Sequence, residues 1–154
     1  MSSDREERID RLLAHQEIVA LSHRYARAQD ELDAAAHRAV FHDDAQLDYP
    51  RFQGGPDAFV AFAQKALGGM EKSHHMLGQI EIEIEHEAPG DQATGIVYFI
   101  AWHRLEHKGE PKDLIVGGRY IDRYLRRDGA WKIARRGEVV DWSRLDPPSD
   151  DFYG

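Results

Sequence analysis

The chain has 154 residues and a mass of 17.6 kDa, the size of one domain with its own hydrophobic core. Its 20 basic and 28 acidic side chains give a formal net charge of −8, and a surface of that sign repels nucleic-acid phosphates. Cysteine is absent from the sequence, which excludes disulfides and thiolate chemistry. No apolar run is long enough for a membrane helix, and the charged start lacks a signal peptide's apolar segment. We therefore expect a cytoplasmic protein without a nucleic-acid partner or a membrane span.

The N-terminal part of the sequence predicts helices. Apolar residues recur at helical spacing over 9–28, and Ser3 and Glu6 have the spacing of a capping box at the start. A second helix is predicted from about Asp33 through Phe41. A third, over about 59–67, follows a Gly-Gly-Pro loop and ends at two glycines.

The remaining sequence predicts strands. A short strand over 45–49 alternates apolar and polar residues, and so does the segment 80–85, in which isoleucine alternates with glutamate. Further strands are predicted around 96–103, over 114–125 and over 131–142, separated by turns. Helices followed by antiparallel strands are typical of an α+β fold. We expect a curved antiparallel sheet wrapped around the helices, forming a cone with an apolar pocket.

The predicted organisation is a single domain over residues 1–142 and a polar tail over 143–154. The tail ends in two aromatic residues, Phe152 and Tyr153. We expect these aromatics to cover the pocket mouth or to lie on a neighbouring subunit, and disorder of the tail is the alternative.

Histidines and one aspartate are the candidates for chemistry. The chain has nine histidines; His75 opens a predicted strand, His103 lies in another, and Asp30 ends the first helix. An imidazole next to a carboxylate is a general base, because the carboxylate fixes the tautomer and stabilises the imidazolium. The alternative is that Asp30 caps a helix and the histidines are half-exposed strand residues. No metal is expected, because His103 and His107, on one strand face, would lie about 13 Å apart.

Four segments of the sequence carry a family resemblance: 21–30, 43–49, 73–78 and 117–132. They resemble the SnoaL-like, nuclear-transport-factor-2-like superfamily, in particular the scytalone dehydratases, hexachlorocyclohexane dehydrochlorinases and bile-acid 7α-dehydratases. The resemblance extends over about residues 8 to 142. It implies an α+β cone, a homo-oligomer (a trimer, with a dimer as the alternative) and no cofactor.

The resemblance also implies roles for individual residues. Asp30 lies where these enzymes have the carboxylate of an aspartate–histidine pair, and His75 lies where they have the base. Tyr49 and His103 match an active-site tyrosine and the second histidine of scytalone dehydratases. Tyr25 matches a catalytic tyrosine of bile-acid dehydratases.

Three further residues are expected to bind substrate. Arg136 matches an arginine of the bile-acid dehydratases, and Val97 and Phe99 are apolar residues of one strand face. At one position the chain differs from the scytalone dehydratases: the residue before the aspartate is Gln29, where those enzymes have a tyrosine.

The function that the resemblance implies is a cofactor-independent lyase, a dehydratase or related enzyme, acting on a hydrophobic cyclic small molecule. Members of the superfamily also include isomerases that move a proton without losing a group, ligand-binding domains, and non-catalytic small subunits of oxygenases. Fold membership does not separate these alternatives.

The alternation of side chains along the predicted strand and the family resemblance disagree about which histidine faces the pocket. If Ile80, Ile82 and Ile84 point inward, strict alternation sends His74 inward and His75 outward. The resemblance requires His75 in the pocket. Both hold if a one-residue bulge lies between them, and Gly78 is the predicted site because glycine adopts positive φ readily. If the isoleucines instead pack outside the cone, no bulge is needed.

Overall fold

A computed structural model describes residues 2–85 and 91–149 of the protein. The helices are α1 (Ser2–Asp30), α2 (Ala34–Ala39) and α3 (Pro56–Gly68), and the strands are β1 (Phe41–Tyr49), β2 (Phe52–Gly54), β3 (Lys72–Ile84), β4 (Gln92–His107), β5 (Glu110–Arg127) and β6 (Ala130–Asp146). No helix in this part of the chain is both long and apolar enough to cross a bilayer. Phe152 and Tyr153 lie outside the described residues.

All six strands form one sheet in the order β2-β1-β6-β5-β4-β3. Neighbouring strands are antiparallel except for β1 and β6, which pair in parallel. The helices pack on the concave face of the curved sheet, which confirms the predicted α+β cone. The parallel pair was not predicted, because it joins the first and the last strand of the chain.

Most strands are longer than predicted, and three further differences concern the second helix, strand β2 and the last strand. The second helix ends at Ala39, and Phe41 belongs to β1, where it is fully buried opposite Ile133. Strand β2 was not predicted. The last strand continues beyond Trp142 to Asp146, within the predicted tail. An apolar pair such as Val40–Phe41 fits a helix face or a strand, so tertiary pairing decides between them.

The C-terminal half of α1 supplies one wall of the core. Ala14, Ile18, Leu21 and Tyr25 are buried at helical spacing, and α1 packs on β3 and β6. Together with inward side chains of β1, β4, β5 and β6, this stripe forms a continuous hydrophobic cluster. The core is therefore the space between α1 and the concave face of the sheet.

The paired glycines of β5 allow β6 to pack closely. The register of β5 against β6 shifts between Gly117 and Gly118, so that Asp141 is an extra residue in β6. A Cβ at Gly117 would overlap the Trp142 ring, and one at Gly118 would overlap the Val139 carbonyl oxygen. A bulge with close backbone approach therefore lies at these glycines.

Replacing Gly118 by alanine should destabilise the fold by about 1–3 kcal/mol, because the new methyl group meets backbone that cannot move aside. Gly68→Ala is the matched control, since no atom lies within 4 Å of the Cβ position in the end of α3. Urea denaturation measures both changes. A Gly118→Ala variant as stable as the Gly68→Ala variant would contradict the assigned packing.

Candidate active site

The position of Asp30 is fixed by the way α1 ends. Leu32 adopts a left-handed conformation with φ 55°, and its N–H donates to the Gln29 carbonyl oxygen at 3.3 Å. The N–H of Asp33 reaches back to the Ala28 carbonyl oxygen at 2.9 Å. These two bonds are a Schellman motif, which satisfies the last carbonyl groups of the helix. Asp30 is therefore held at a rigid helix end.

The carboxylate of Asp30 binds the edge strand β3 at two groups of one residue. The backbone N–H of His75 donates to both Asp30 oxygens, at 3.0 and 3.1 Å. The Nδ1 atom of the same histidine lies 2.7 Å from Oδ1. An edge strand has backbone N–H groups without a strand partner on its outer side, and Asp30 pairs one of them. The carboxylate thus fixes both the backbone and the ring of His75.

A bulge in β3 turns His75 toward the helix. Leu77 pairs with Phe99 and Ile80 pairs with Val97, so Gly78 and Gln79 together oppose a single residue of β4. His75 and the three isoleucines consequently share the inward face, and the predicted bulge is confirmed. Its predicted cause is wrong, because Gly78 is not among the glycines with positive φ. The packing there is tight, because a Cβ would lie 3.3 Å from the Cβ of Tyr98.

His103 lies beside His75 and is uncharged at neutral pH. The two rings meet edge to face with centroids 5.2 Å apart, and Nδ1 of His103 lies 2.9 Å from the Ser73 hydroxyl oxygen. Burial, with a smaller contribution from the charge of His75, lowers the pKa of His103 to about 4. Since His103 remains neutral, it places no positive charge against a protonated His75.

Three polar side chains form a hydrogen-bonded chain on the floor of the cone. The amide of Gln29 donates to the Tyr25 hydroxyl oxygen at 3.1 Å, and the hydroxyl oxygens of Tyr25 and Tyr49 lie 2.7 Å apart. When Tyr25 accepts from Gln29 and donates to Tyr49, the proton of Tyr49 is available to a ligand. Burial raises the pKa of Tyr25 to about 12 and that of Tyr49 well above its usual value, so both hydroxyls stay protonated.

Arg136 lies beneath these tyrosines in a buried ion pair. Its Nε and Nη2 donate to the two oxygens of Asp122 at 2.8 and 2.7 Å, and neither side chain has any exposed surface. The guanidinium carbon lies 4.4 Å from the ring centroids of both Tyr25 and Tyr120. The arginine therefore holds two tyrosine rings through cation–π contacts. Its contact with a substrate stays a prediction.

Val97 and Phe99 are buried on the concave face of β4, and Phe99 stacks on Tyr120 with centroids 4.4 Å apart. Their contact with a substrate also stays a prediction. Other residues of the same concave face remain partly exposed: Tyr49, Leu77, Leu114, Val116 and Val140.

Two buried titratable residues near the site were missed by sequence reasoning. His37 packs edge-on against the Tyr25 ring, and burial lowers its pKa to about 4. Glu138 pairs with Tyr120 across the β5–β6 ladder and points into the cone. The sequence did not indicate that Glu138 points inward, because Ala134 is an extra residue in β6. This bulge reverses the alternation of side chains that Ile133 would predict.

Within residues 2–85 and 91–149, no cluster of histidine and acidic side chains is arranged to hold a metal ion. The fold and the site together define an α+β cone with an aspartate–histidine pair at the junction of helix and edge strand. The chain belongs to the SnoaL-like family, whose domain model matches residues 10–137. The resemblance predicted from the sequence is thereby confirmed.

Solved structures with the same fold include two kinds of named enzyme. A scytalone dehydratase-like protein of Novosphingobium aromaticivorans has a TM-score of 0.74 at 23% identity, covering 90% of this chain and 94% of that chain. A type 2 hexachlorocyclohexane dehydrochlorinase has a TM-score of 0.81 at 19% identity, with 94% and 98% covered. The type 3 dehydrochlorinase of Novosphingobium barchaimii has a TM-score of 0.78 at 18% identity, with 89% and 92% covered. No curated protein matches the sequence.

Replacing Arg136 by methionine should destabilise the protein by about 3–5 kcal/mol, because the buried carboxylate of Asp122 loses its counter-charge. The double variant Arg136→Met with Asp122→Leu should recover most of that loss, since no unpaired charge remains. Thermal and urea unfolding measure both variants. A single variant with wild-type stability would contradict the pairing.

Proposed function

We propose that the protein is a cofactor-independent lyase that eliminates water or another small leaving group from a hydrophobic cyclic substrate, with His75 as general base. The observation that carries the proposal is the pairing of Asp30 with Nδ1 of His75 at 2.7 Å. A donor hydrogen at Nδ1 leaves Nε2 as the atom that accepts a proton. Among the described residues, none forms a hydrogen bond with Nε2.

In the proposed reaction, Nε2 of His75 removes a proton from a carbon atom next to a carbonyl group. The electron pair of that C–H bond forms a C=C bond, and the C–O bond to the leaving group breaks. Protonated His75 then returns its proton to the departing oxygen, so that water leaves and the base is neutral again. The Asp30 carboxylate stabilises the intermediate imidazolium, and its side chain is only 25% exposed, which limits screening by water.

The tyrosines supply hydrogen-bond donors for the negative charge that develops on the carbonyl oxygen. With Tyr25 as the donor between the two tyrosines, Tyr49 is the terminal donor of the chain that begins at Gln29, and it is partly exposed. A donor already in place in an apolar cavity stabilises developing charge more than water does. The names of the structural neighbours, a dehydratase and dehydrochlorinases, denote eliminations of water and of hydrogen chloride, which supports the same reaction class.

Asp30→Asn and His75→Ala should each lower turnover by about 10²–10⁴-fold, because each removes the base or the group that orients it. His74→Ala is the matched control, since His74 lies on the opposite face of β3 and is exposed. Bicyclic β-hydroxy ketones are suitable test substrates, because elimination produces a conjugated enone that is followed by ultraviolet absorbance.

Product mass separates the reaction classes in the same assay. Loss of one water identifies elimination, and conversion to a product of unchanged mass identifies an isomerase. Near-wild-type turnover of either Asp30→Asn or His75→Ala in folded protein would contradict the assigned base. A folded wild-type protein that binds the ketones without converting them would favour a ligand-binding role.

We also propose that the convex face of the sheet joins copies of this chain into a homo-oligomer. Large apolar side chains are exposed there in adjacent strands and border a groove of about 400 Å³: Met76, Tyr98, Ile100 and Trp142. A contiguous apolar patch of this kind is typical of an interface. The homotrimer that the resemblance implies would bury it.

Trp142→Glu should reduce the oligomer to a smaller species, because a charge cannot be buried without a partner. Lys65→Glu on the exposed side of α3 is the control for a charge change alone. Light scattering after gel filtration gives the mass of each variant. A Trp142→Glu variant with the wild-type oligomer mass would contradict this interface.

A further inference from the structure

Glu138 is the one acidic side chain of the concave face whose carboxyl group has no hydrogen-bond partner within 2–85 and 91–149. Asp122 on the same face is paired with Arg136, and Asp30 is paired with His75. A half-buried carboxyl group without a protein partner retains its capacity to form hydrogen bonds. Glu138 is therefore available to bind a ligand.

The groups around Glu138 are tyrosine rings and one cation, Arg136, which lies two residues earlier in the same strand. Glu138 faces Tyr120 across the ladder, and its charge acts on the hydroxyl groups of Tyr25, Tyr49 and Tyr120, raising the pKa of each. Arg136 lies on the same face of β6, but the carboxylate of Asp122 already neutralises the charge of the guanidinium. Burial therefore dominates over the cation and raises the pKa of Glu138 to about 7.

The location separates Glu138 from the proposed base. Strands β4 and β5 lie between β3, which carries His75, and β6, which carries Glu138. Three strand spacings correspond to about 14 Å along the sheet, and curvature shortens the direct path across the cone. A ring system in the cone can therefore reach both side chains with different atoms.

We propose that Glu138, as an uncharged carboxylic acid, donates a hydrogen bond to a carbonyl or hydroxyl oxygen of the substrate on the far side of the cone from His75. The proposal rests on the proposed function in taking the concave face as the substrate cavity. It narrows the substrate class to uncharged ring compounds that carry an oxygen away from the reacting carbon. A substrate carboxylate is disfavoured, because Asp30 and Glu138 would both repel it above neutral pH.

The sign of the pH dependence follows from the direction of the pKa shift. Below pH about 7 the side chain is a carboxylic acid and can donate a hydrogen bond. Above that pH it is a carboxylate, which only accepts. Affinity for a carbonyl oxygen should therefore fall as the pH rises through 7, by up to about tenfold per pH unit if only the acid form binds. The neighbouring hydroxyls stay protonated throughout this range, since burial raises the pKa of Tyr25 and Tyr49.

The test compares two naphthalene probes of similar shape, 2-acetylnaphthalene and 2-ethylnaphthalene, in fluorescence titrations of the whole protein from pH 5.5 to 8.5. In wild type, the ketone should be preferred over the hydrocarbon by about tenfold at pH 5.5, and the preference should vanish by pH 8.5. Glu138→Gln should keep the preference at every pH, because its amide N–H always donates. Glu138→Leu should lose it at every pH. Glu81→Gln, on the exposed face of β3, should behave as wild type.

Three results would overturn the proposal: an unchanged ketone preference in Glu138→Leu, a wild-type pH profile in Glu138→Gln, or no binding of either probe to wild type. Because the titrations need no turnover, Asp30→Asn should show the wild-type preference. A protein that shows the Glu138-dependent preference but eliminates no leaving group would retain this inference and contradict the proposed function. A protein that eliminates a leaving group but shows no such preference would retain the proposed function and contradict this inference.

Discussion

The hydrogen bonds between Asp30 and His75 connect the helical layer to the sheet, and the site depends on them. One carboxylate at a rigid helix end accepts from the backbone and lies against the ring of the same strand residue. A shift of β3 by one residue would break all of these contacts and turn His74 toward the helix. The same interaction therefore sets the register of the edge strand, orients the imidazole and places a negative charge beside it.

The ionisable groups of the described concave face include hydrogen-bonded pairs and neutral single side chains. Asp30 pairs with His75 and Asp122 pairs with Arg136, each through direct hydrogen bonds. His103 has no carboxylate of its own, and burial keeps it uncharged at neutral pH. The buried tyrosines remain protonated for the same reason. This arrangement places one carboxylate-paired histidine among several neutral hydrogen-bonding side chains.

The Arg136 pair supports the tyrosines on the floor of the cone. Its guanidinium has no exposed surface and is flanked by the rings of Tyr25 and Tyr120. Tyr25 in turn positions Tyr49, whose hydroxyl is the one nearer to the open part of the cone. Arg136 therefore influences the Tyr49 hydroxyl through Tyr25. Replacing the arginine would change the position of that hydroxyl indirectly.

The sequence by itself determined the fold class, the helix that ends at Asp30, the alternation of β3 to β5 and the family resemblance. Those features are local, since capping residues, turn glycines and period-two patterns act over a few neighbours. It also placed the bulge at Gly78, although for the wrong reason, because the close contact with Tyr98 comes from the adjacent strand. The parallel pairing of β1 with β6, the inward turn of Glu138 and the burial of Arg136 were decided only by tertiary structure. Each depends on a bulge or a partner far away in the chain, and a phase change at Ala134 leaves no mark in the pattern of apolar residues.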